Sequence, residues 1–273
     1  MTMCRTPAND GAAVHASSLS FTEAGAAGGL VLLLIHPMGA DSHFWDACSV
    51  FLQQRHRCIA VDLRGAGGSP ASGRPISVDA HARDLAALVA VRGAGKVVPV
   101  GCAVGAMVAT AFAGLHPELC DALVLSNPGY RTLTSARVML SERADRVRRE
   151  GMRAVMPGAV DNAFVGFEDE ARLKDYARRF AAQDPVGYAL QIEGMLDADI
   201  SSHLQAIHCP VLILAGGRDG LLPPEHAHDI HRHLATAEFV EITDAAHFIP
   251  YQRPEQFSGT VIEFLDRVTK DTD

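Results

Sequence analysis

Three short segments carry the residue types that could do chemistry, and each follows an apolar run. In the first, Gly101-Cys-Ala-Val-Gly105 stands between the apolar run 97–102 and a helical pattern. Asp219 comes just past the run 210–216, and His247 comes just past the run 238–242. A nucleophile, an acid and a histidine in this order suit acyl transfer, in which the acid orients the histidine and the histidine activates the nucleophile. Ala103 stands where the nucleophile would be, and a methyl group cannot attack a carbonyl.

The two glycines around Ala103 fit a strained strand-to-helix turn, in which neighbouring backbones come too close for a Cβ atom. An ordinary turn between a strand and a helix also often carries glycine. A second glycine-rich stretch, Gly65-Ala-Gly-Gly68, follows the run 57–63. No Gly-Lys-Ser/Thr follows it, so the spacing does not predict a phosphate-binding loop.

The elements that must position these segments alternate between strand and helix. Apolar runs predict strands at 30–35, 57–63, 97–102, 122–126, 210–216 and 238–242. Helical patterns lie between them: one that Ser77 can cap, one over 104–115, one from about Pro224, and a closing helix. The closing helix carries an apolar stripe at Phe257, Val261, Phe264 and Leu265. This alternation predicts an α/β fold with a mostly parallel sheet flanked by helices.

The alternation is interrupted between residues 131 and 205. This segment holds 11 of the 24 basic residues and 12 of the 32 acidic ones, in helical patterns without a convincing strand. We interpret it as an inserted helical lid, with residues 1–16 as an N-terminal tail and 17–130 and 206–270 as the core. The balanced charges indicate solvated helix faces. One or two arginines turned inward could instead bind a substrate carboxylate.

Composition excludes several classes of protein. The chain has 273 residues, 48% of them apolar, which suffices for a continuous core and excludes a fibrous or disordered protein. A net charge of -8 disfavours a nucleic-acid partner. No apolar run approaches the ~20 residues that a membrane helix needs, and the first residues lack the apolar region of an export signal. We therefore expect a cytoplasmic protein without a membrane partner.

Metal and disulfide chemistry are also disfavoured. The six cysteines form no Cys-x-x-Cys pair, so we expect free thiols, mostly buried as small apolar groups. Cys102 adjoins Ala103, but its side chain should point away from the turn, so a buried thiol is favoured over a nucleophile. Histidines occur at 226, 228, 231 and 233, and on a helix residues two apart point their side chains in different directions. This spacing favours a solvated helix face over a metal site. We expect no metal and no cofactor.

The order of these motifs resembles that of the α/β-hydrolase family, from about residue 17 to residue 268. The resemblance implies that Ala103 occupies the nucleophile position, Asp219 is the acid and His247 the base. The segment Ile35-His-Pro-Met-Gly-Ala40 closes an early strand, where this family supplies part of its oxyanion hole. The backbone amides of Met38 and Val104 would then form that hole.

Segments in and after the insertion favour one branch of the family. Asp184-Pro-Val-Gly-Tyr188, Asp197-Ala-Asp-Ile200 and Cys209-Pro-Val211 look most similar to the 3-oxoadipate enol-lactonase group. Carbon-carbon hydrolases of aromatic ring cleavage usually carry Asn where this chain has Cys102. Epoxide hydrolases and haloalkane dehalogenases would need Asp at position 103.

Three explanations of Ala103 stay open. The first is a deliberate replacement of a serine. The second is a natural hydrolase similar to the aminoacrylate and carbamate hydrolases of pyrimidine degradation, which also carry Gly-x-Ala-x-Gly-Ala; in this chain His247 could then activate water. The third is a binding protein that has kept the pocket. We expect a hydrolase of a small ester, lactone or related carbonyl compound, with a small-molecule substrate as partner and with the oligomeric state undetermined. His36, Tyr130 and Phe248 are further candidates for substrate contact.

Overall fold

The fold is organised around a seven-stranded sheet in the order β1-β3-β2-β4-β5-β6-β7. A computed structural model describes residues 18–25, 28–234 and 236–270. All neighbouring strands are parallel except β1, which pairs antiparallel with β3. The strands are β1 Phe21–Gly25, β2 Val31–Ile35, β3 Arg57–Val61, β4 Val98–Cys102, β5 Leu123–Ser126, β6 Val211–Gly216 and β7 Glu238–Ile242. The predicted mostly parallel sheet is confirmed.

Helices connect the strands and cover both faces of the sheet. They are α1 Asp46–Leu52, α2 Val78–Val91, α3 Val104–Leu115, α4 Thr134–Glu150, α5 Met156–Asp161, α6 Glu170–Ala182, α7 Pro185–Met195, α8 Ser201–Leu204, α9 Pro224–His233, α10 Ile249–Gln252 and α11 Pro254–Lys270. Ser77 caps α2 as expected, since its Oγ accepts a hydrogen bond from the amide of Ala80 at 3.2 Å. Among the described residues, no helix combines the length and apolarity needed to cross a bilayer.

Strand β2 shows why the central strands are continuously apolar. Leu32 and Leu34 belong to one apolar cluster, and Leu33 and Ile35 belong to a second cluster on the other face. All four are fully buried. Because side chains alternate across a strand, a strand covered on both faces needs apolar residues at every position. The stripe of α11 is likewise buried on the first of these clusters.

Strand β1 was not predicted from the sequence. It lies at the edge of the sheet, and four of its five residues are exposed. Its residues Phe-Thr-Glu-Ala-Gly therefore lack the apolar run that marks the buried strands. The strand exists because its backbone pairs with β3 over residues 57–61.

The inserted segment lies between β5 and β6 and contains α4 to α8. Helix α7 sits directly on the glycine-rich loop that follows β3. A Cβ atom at Gly187 would lie 2.3 Å from the carbonyl oxygen of Gly65, and Gln191 donates to the carbonyl of Arg64 at 2.9 Å. Gln183 accepts from the amide of Gly67 at 2.9 Å. The loop thus serves as a docking surface for the inserted helices, whereas the function of the insertion as a lid stays a prediction.

Candidate active site

The turn between β4 and α3 places Ala103 in a strained backbone conformation. Its φ is 52° and its ψ is -115°, a region that residues with a side chain rarely adopt. A Cβ atom at Gly101 would lie 2.2 Å from the carbonyl oxygen of Gly105, and one at Gly105 would lie 2.3 Å from that of Ile35. The amide of Ala103 donates to the carbonyl of Ser126 at 2.9 Å, which ties the turn to the neighbouring strand. Glycines at 101 and 105 are therefore required by close backbone approach.

Asp219 and His247 come together although 28 residues separate them. Nδ1 of His247 lies 2.8 Å from Oδ2 of Asp219. The other carboxylate oxygen accepts from the amides of Leu221 and Leu222 at 2.8 and 2.9 Å. Burial alone would raise the pKa of Asp219, but the hydrogen bond and charge of His247 and the two amides outweigh it and hold that pKa below its usual value. Asp219 therefore stays ionised and holds a proton on Nδ1, which leaves Nε2 as the basic nitrogen.

Asn127 was missed by the sequence analysis. Its Nδ2 donates to Oδ2 of Asp219 at 2.8 Å and to the carbonyl of Ala246 at 3.1 Å. Its side chain is buried, and its φ of 46° lies in the left-handed region that Asn tolerates better than most residues. Asn127 thus connects the loops after β5, β6 and β7 and holds the carboxylate of Asp219 in place. The available signal was its place in Asn127-Pro-Gly, directly after a buried strand.

A cavity of about 240 Å³ lies above the turn. Ala103 and His247 both line it. Its walls are mainly apolar and include four aromatic side chains, Tyr176, Phe180, Tyr188 and Phe248. Its volume is near the lower end for ligand sites in proteins, so it suits a small molecule. Of the predicted substrate contacts, Phe248 does line this cavity.

Met38 and Val104 also line the cavity. Val104 is the first residue of α3, and the first amides of a helix have no partner within the helix. In the described part of the chain, the amide of Met38 makes no hydrogen bond either. Two free amides beside Ala103 are what an oxyanion hole requires, and their function stays a prediction.

His36 and Tyr130, which were predicted to contact substrate, are not among the residues that line the cavity. The His36 ring is fully buried, and both nitrogens are used: Nδ1 donates to the carbonyl of Pro37 at 2.8 Å, and Nε2 accepts from the amide of Leu63 at 3.0 Å. His36 therefore joins the loops after β2 and β3. The Tyr130 ring stacks on His233 with ring centroids 5.2 Å apart, outside the cavity.

The sequence disfavoured Cys102 as a nucleophile and disfavoured a metal site. Cys102 is fully buried, and burial raises its thiol pKa well above the usual value, so it is no ready nucleophile. Among residues 18–25, 28–234 and 236–270, no group of three or more His, Cys, Asp or Glu side chains could hold a metal ion. His226, expected on a solvated face, lines the cavity, because α9 begins next to the loop that carries Asp219. Cys4 lies outside the described residues.

The profile of the alpha/beta hydrolase fold family matches residues 31–254. The chain belongs to this family. It is 24% identical to 3-oxoadipate enol-lactonase 2 of Acinetobacter baylyi over 92% of this chain and 94% of that one. It is 28% identical to a putative carbamate hydrolase of Caulobacter segnis over 88% of this chain and 92% of the relative.

Solved structures of this family have the same fold. A malate-bound thermophilic esterase from Thermogutta terrifontis superposes with a TM-score of 0.84, at 31% identity, over 92% of this chain and 93% of that chain. The predicted fold and the resemblance to enol-lactonases are confirmed, and the names of the relatives support a hydrolase.

Proposed function

We propose that this protein hydrolyses a small ester, lactone, amide or carbamate, and that His247 activates the attacking water directly. The observation that carries the proposal is the 2.8 Å hydrogen bond between Asp219 and His247, because His247 lines the same cavity as Ala103. The acid and the base of the reaction are both present, and only the nucleophilic side chain is missing. The relatives described above are named as an enol-lactonase, a putative carbamate hydrolase and an esterase, which supports these substrate classes.

The proposed reaction needs one water molecule and no covalent enzyme intermediate. Water gives a proton to Nε2 of His247 as its oxygen bonds to the substrate carbonyl carbon, and the carbonyl oxygen becomes an anion. The amides of Met38 and Val104 donate hydrogen bonds to this anion, while Asp219 stabilises the imidazolium. The anion then collapses, the bond to the leaving group breaks, and His247 returns the proton to that group. The products are an acid and an alcohol or amine, or their ring-opened equivalent.

Ala103 favours water over a covalent route for a steric and a chemical reason. Ala103 lines the same cavity as His247, and its methyl group leaves the space of a serine hydroxyl free for a water oxygen. Cys102 does not replace the missing hydroxyl, because its thiol is buried and its pKa is raised well above the usual value. A well-placed base contributes about 10²–10⁴-fold to such a reaction.

The test measures hydrolysis of small esters, enol-lactones, amides and carbamates by the protein and its variants. We expect turnover by the unchanged chain, a loss of about 10²–10⁴-fold in His247→Ala, and no loss in the exposed control His208→Ala. Protein quenched during turnover should show no added acyl mass.

Ala103→Ser distinguishes the competing explanations. If only this variant turns over substrate and reacts with a fluorophosphonate, the site is serine-dependent and water activation is wrong. If neither protein hydrolyses or labels, the assignment of the turn is wrong. A ligand that binds both proteins tightly and survives unchanged would indicate a binding protein.

A further inference from the structure

Helix α4 turns one face toward the cavity. Four of its residues line the cavity at helical spacing i, i+3, i+4 and i+7: Ala136, Met139, Leu140 and Arg143. Three of them are apolar, and the fourth places a permanent cation in the cavity wall. A half-buried arginine at the end of an apolar stripe needs a partner, because a charge in such surroundings is poorly solvated.

Arg143 differs in this respect from the other arginines of α4. Each of those has a carboxylate within 4.0 Å: Arg137 pairs with Asp197, Arg146 and Arg149 with Glu150, and Arg148 with Glu193. Within the described ranges, Arg143 has no such partner. The helix thus neutralises its outward-facing arginines and leaves the one that faces the cavity without an anion.

Arg143 is close enough to Tyr188 to affect the ionisation of its hydroxyl. Tyr188 is a buried side chain of α7 that also lines the cavity. Burial raises the pKa of this phenol, and the charge and hydrogen bond of Arg143 oppose that rise. A guanidinium has five N–H donors in a planar fork, and one phenol oxygen occupies few of them. Donors remain for an anion in the cavity.

We infer that Arg143 binds a carboxylate of the substrate, so that the substrate class is a small ester, lactone or amide bearing a free carboxylate group. The planar fork matches a carboxylate in two hydrogen bonds, and in a mainly apolar cavity such a pair is stronger than in water. Arg131 also lines the cavity and, among the described residues, has no carboxylate within 4.0 Å either, but its side chain is exposed and lies over the ring of Tyr130. Solvent therefore weakens its attraction for an anion. A single half-buried guanidinium suits a singly charged carboxylate better than a phosphate dianion. The assignment of a substrate rests on the proposed function, whereas binding of the anion does not.

The experiment compares the binding of hexanoate, hexanamide and butyl phosphate to the full chain by titration calorimetry. We expect hexanoate to bind about ten-fold or more tightly than hexanamide, as charge-assisted hydrogen bonds predict. Arg143→Gln should remove this preference, and Arg143→Lys should restore part of it. Arg146→Gln, on the same helix but paired with Glu150, should retain it fully. Thermal unfolding of each variant confirms that it is folded.

Several results would overturn the inference. These are an equal affinity for hexanoate and hexanamide, a preference that survives Arg143→Gln, a preference that Arg146→Gln abolishes equally, or tighter binding of butyl phosphate. The readout needs no turnover, so a carboxylate site without hydrolysis would refute the proposed function alone. Conversely, hydrolysis with equal kcat/KM for a carboxylate-bearing ester and its uncharged amide analogue would refute the carboxylate site alone.

Discussion

Replacing Asn127 by alanine should destabilise the fold strongly, although the substitution removes only three heavy atoms. The variant loses the hydrogen bonds from Nδ2 to Asp219 and to the carbonyl of Ala246. Both acceptors lie in the buried loops beside the cavity, where water does not readily replace the amide. The carbonyl of Ala246 is left without this donor and the carboxylate of Asp219 with one donor fewer, and each loss costs about 1–3 kcal/mol.

The backbone adds a second cost. The φ of Asn127 is 46°, and an alanine in this left-handed region is less stable by about 1 kcal/mol. The two lost hydrogen bonds and this strain together lower the free energy of unfolding by about 3–7 kcal/mol, a large part of the ~5–15 kcal/mol of a typical domain. Asn127→Gly loses the same hydrogen bonds without the strain, so it should be more stable than Asn127→Ala by about 1 kcal/mol.

Urea denaturation followed by circular dichroism measures these differences, with the exposed Asn162→Ala as a control expected to change stability by less than about 0.5 kcal/mol. The low-field proton signal of His247 Nδ1 reports in parallel whether Asp219 keeps its position, and it should broaden in Asn127→Ala. A loss below about 1 kcal/mol with an unchanged proton signal would refute the conclusion that Asn127 holds the acid in place.

Three further predictions concern the turn, a buried histidine and the adjacent thiol. Gly105→Ala should lower the free energy of unfolding by about 3 kcal/mol, because its Cβ would lie 2.3 Å from a backbone oxygen. In the same urea assay the control Gly259→Ala, which has open space around it in α11, should raise the free energy of unfolding by up to about 1 kcal/mol. Burial, with the charges of neighbouring groups, lowers the pKa of His81 to about 3. Below about pH 6.5 the unfolded chain therefore binds more protons than the folded chain, so the free energy of unfolding should fall towards pH 3 by at most about 1.4 kcal/mol per pH unit. His81→Gln should make this pH dependence shallower. An unchanged pH dependence would contradict the lowered pKa of His81. Cys102→Ala should keep any hydrolytic activity, and iodoacetamide at pH 8 should not alkylate Cys102 in the native protein. The reason is that burial raises the pKa of this thiol well above its usual value. Loss of activity in Cys102→Ala would instead identify Cys102 as a nucleophile.

Much of the sheet and of the candidate site could be predicted because both depend on local patterns. A strand buried on both faces must be apolar throughout, so β2, β4, β5 and β6 stand out in the sequence. The carboxyl ends of neighbouring parallel strands meet at one edge of the sheet. Residues that follow such strands, as Asp219 and His247 do, are thereby brought together even though they are distant in sequence.

The sequence by itself determined the alternation of strands and helices, the glycines that the turn at Ala103 requires, and the positions of Asp219 and His247 directly after two strands. Only the tertiary structure decided which polar side chains reach the cavity. Arg143 and Arg146 lie about one turn apart on α4, but their spacing does not show which of them faces the cavity, because that depends on how α4 packs on α7. His36 lies after β2 as expected, but only the structure shows that backbone groups of Pro37 and Leu63 satisfy both of its nitrogens. Hydrogen-bond partners across loops are set by tertiary packing, and local sequence carries little record of it.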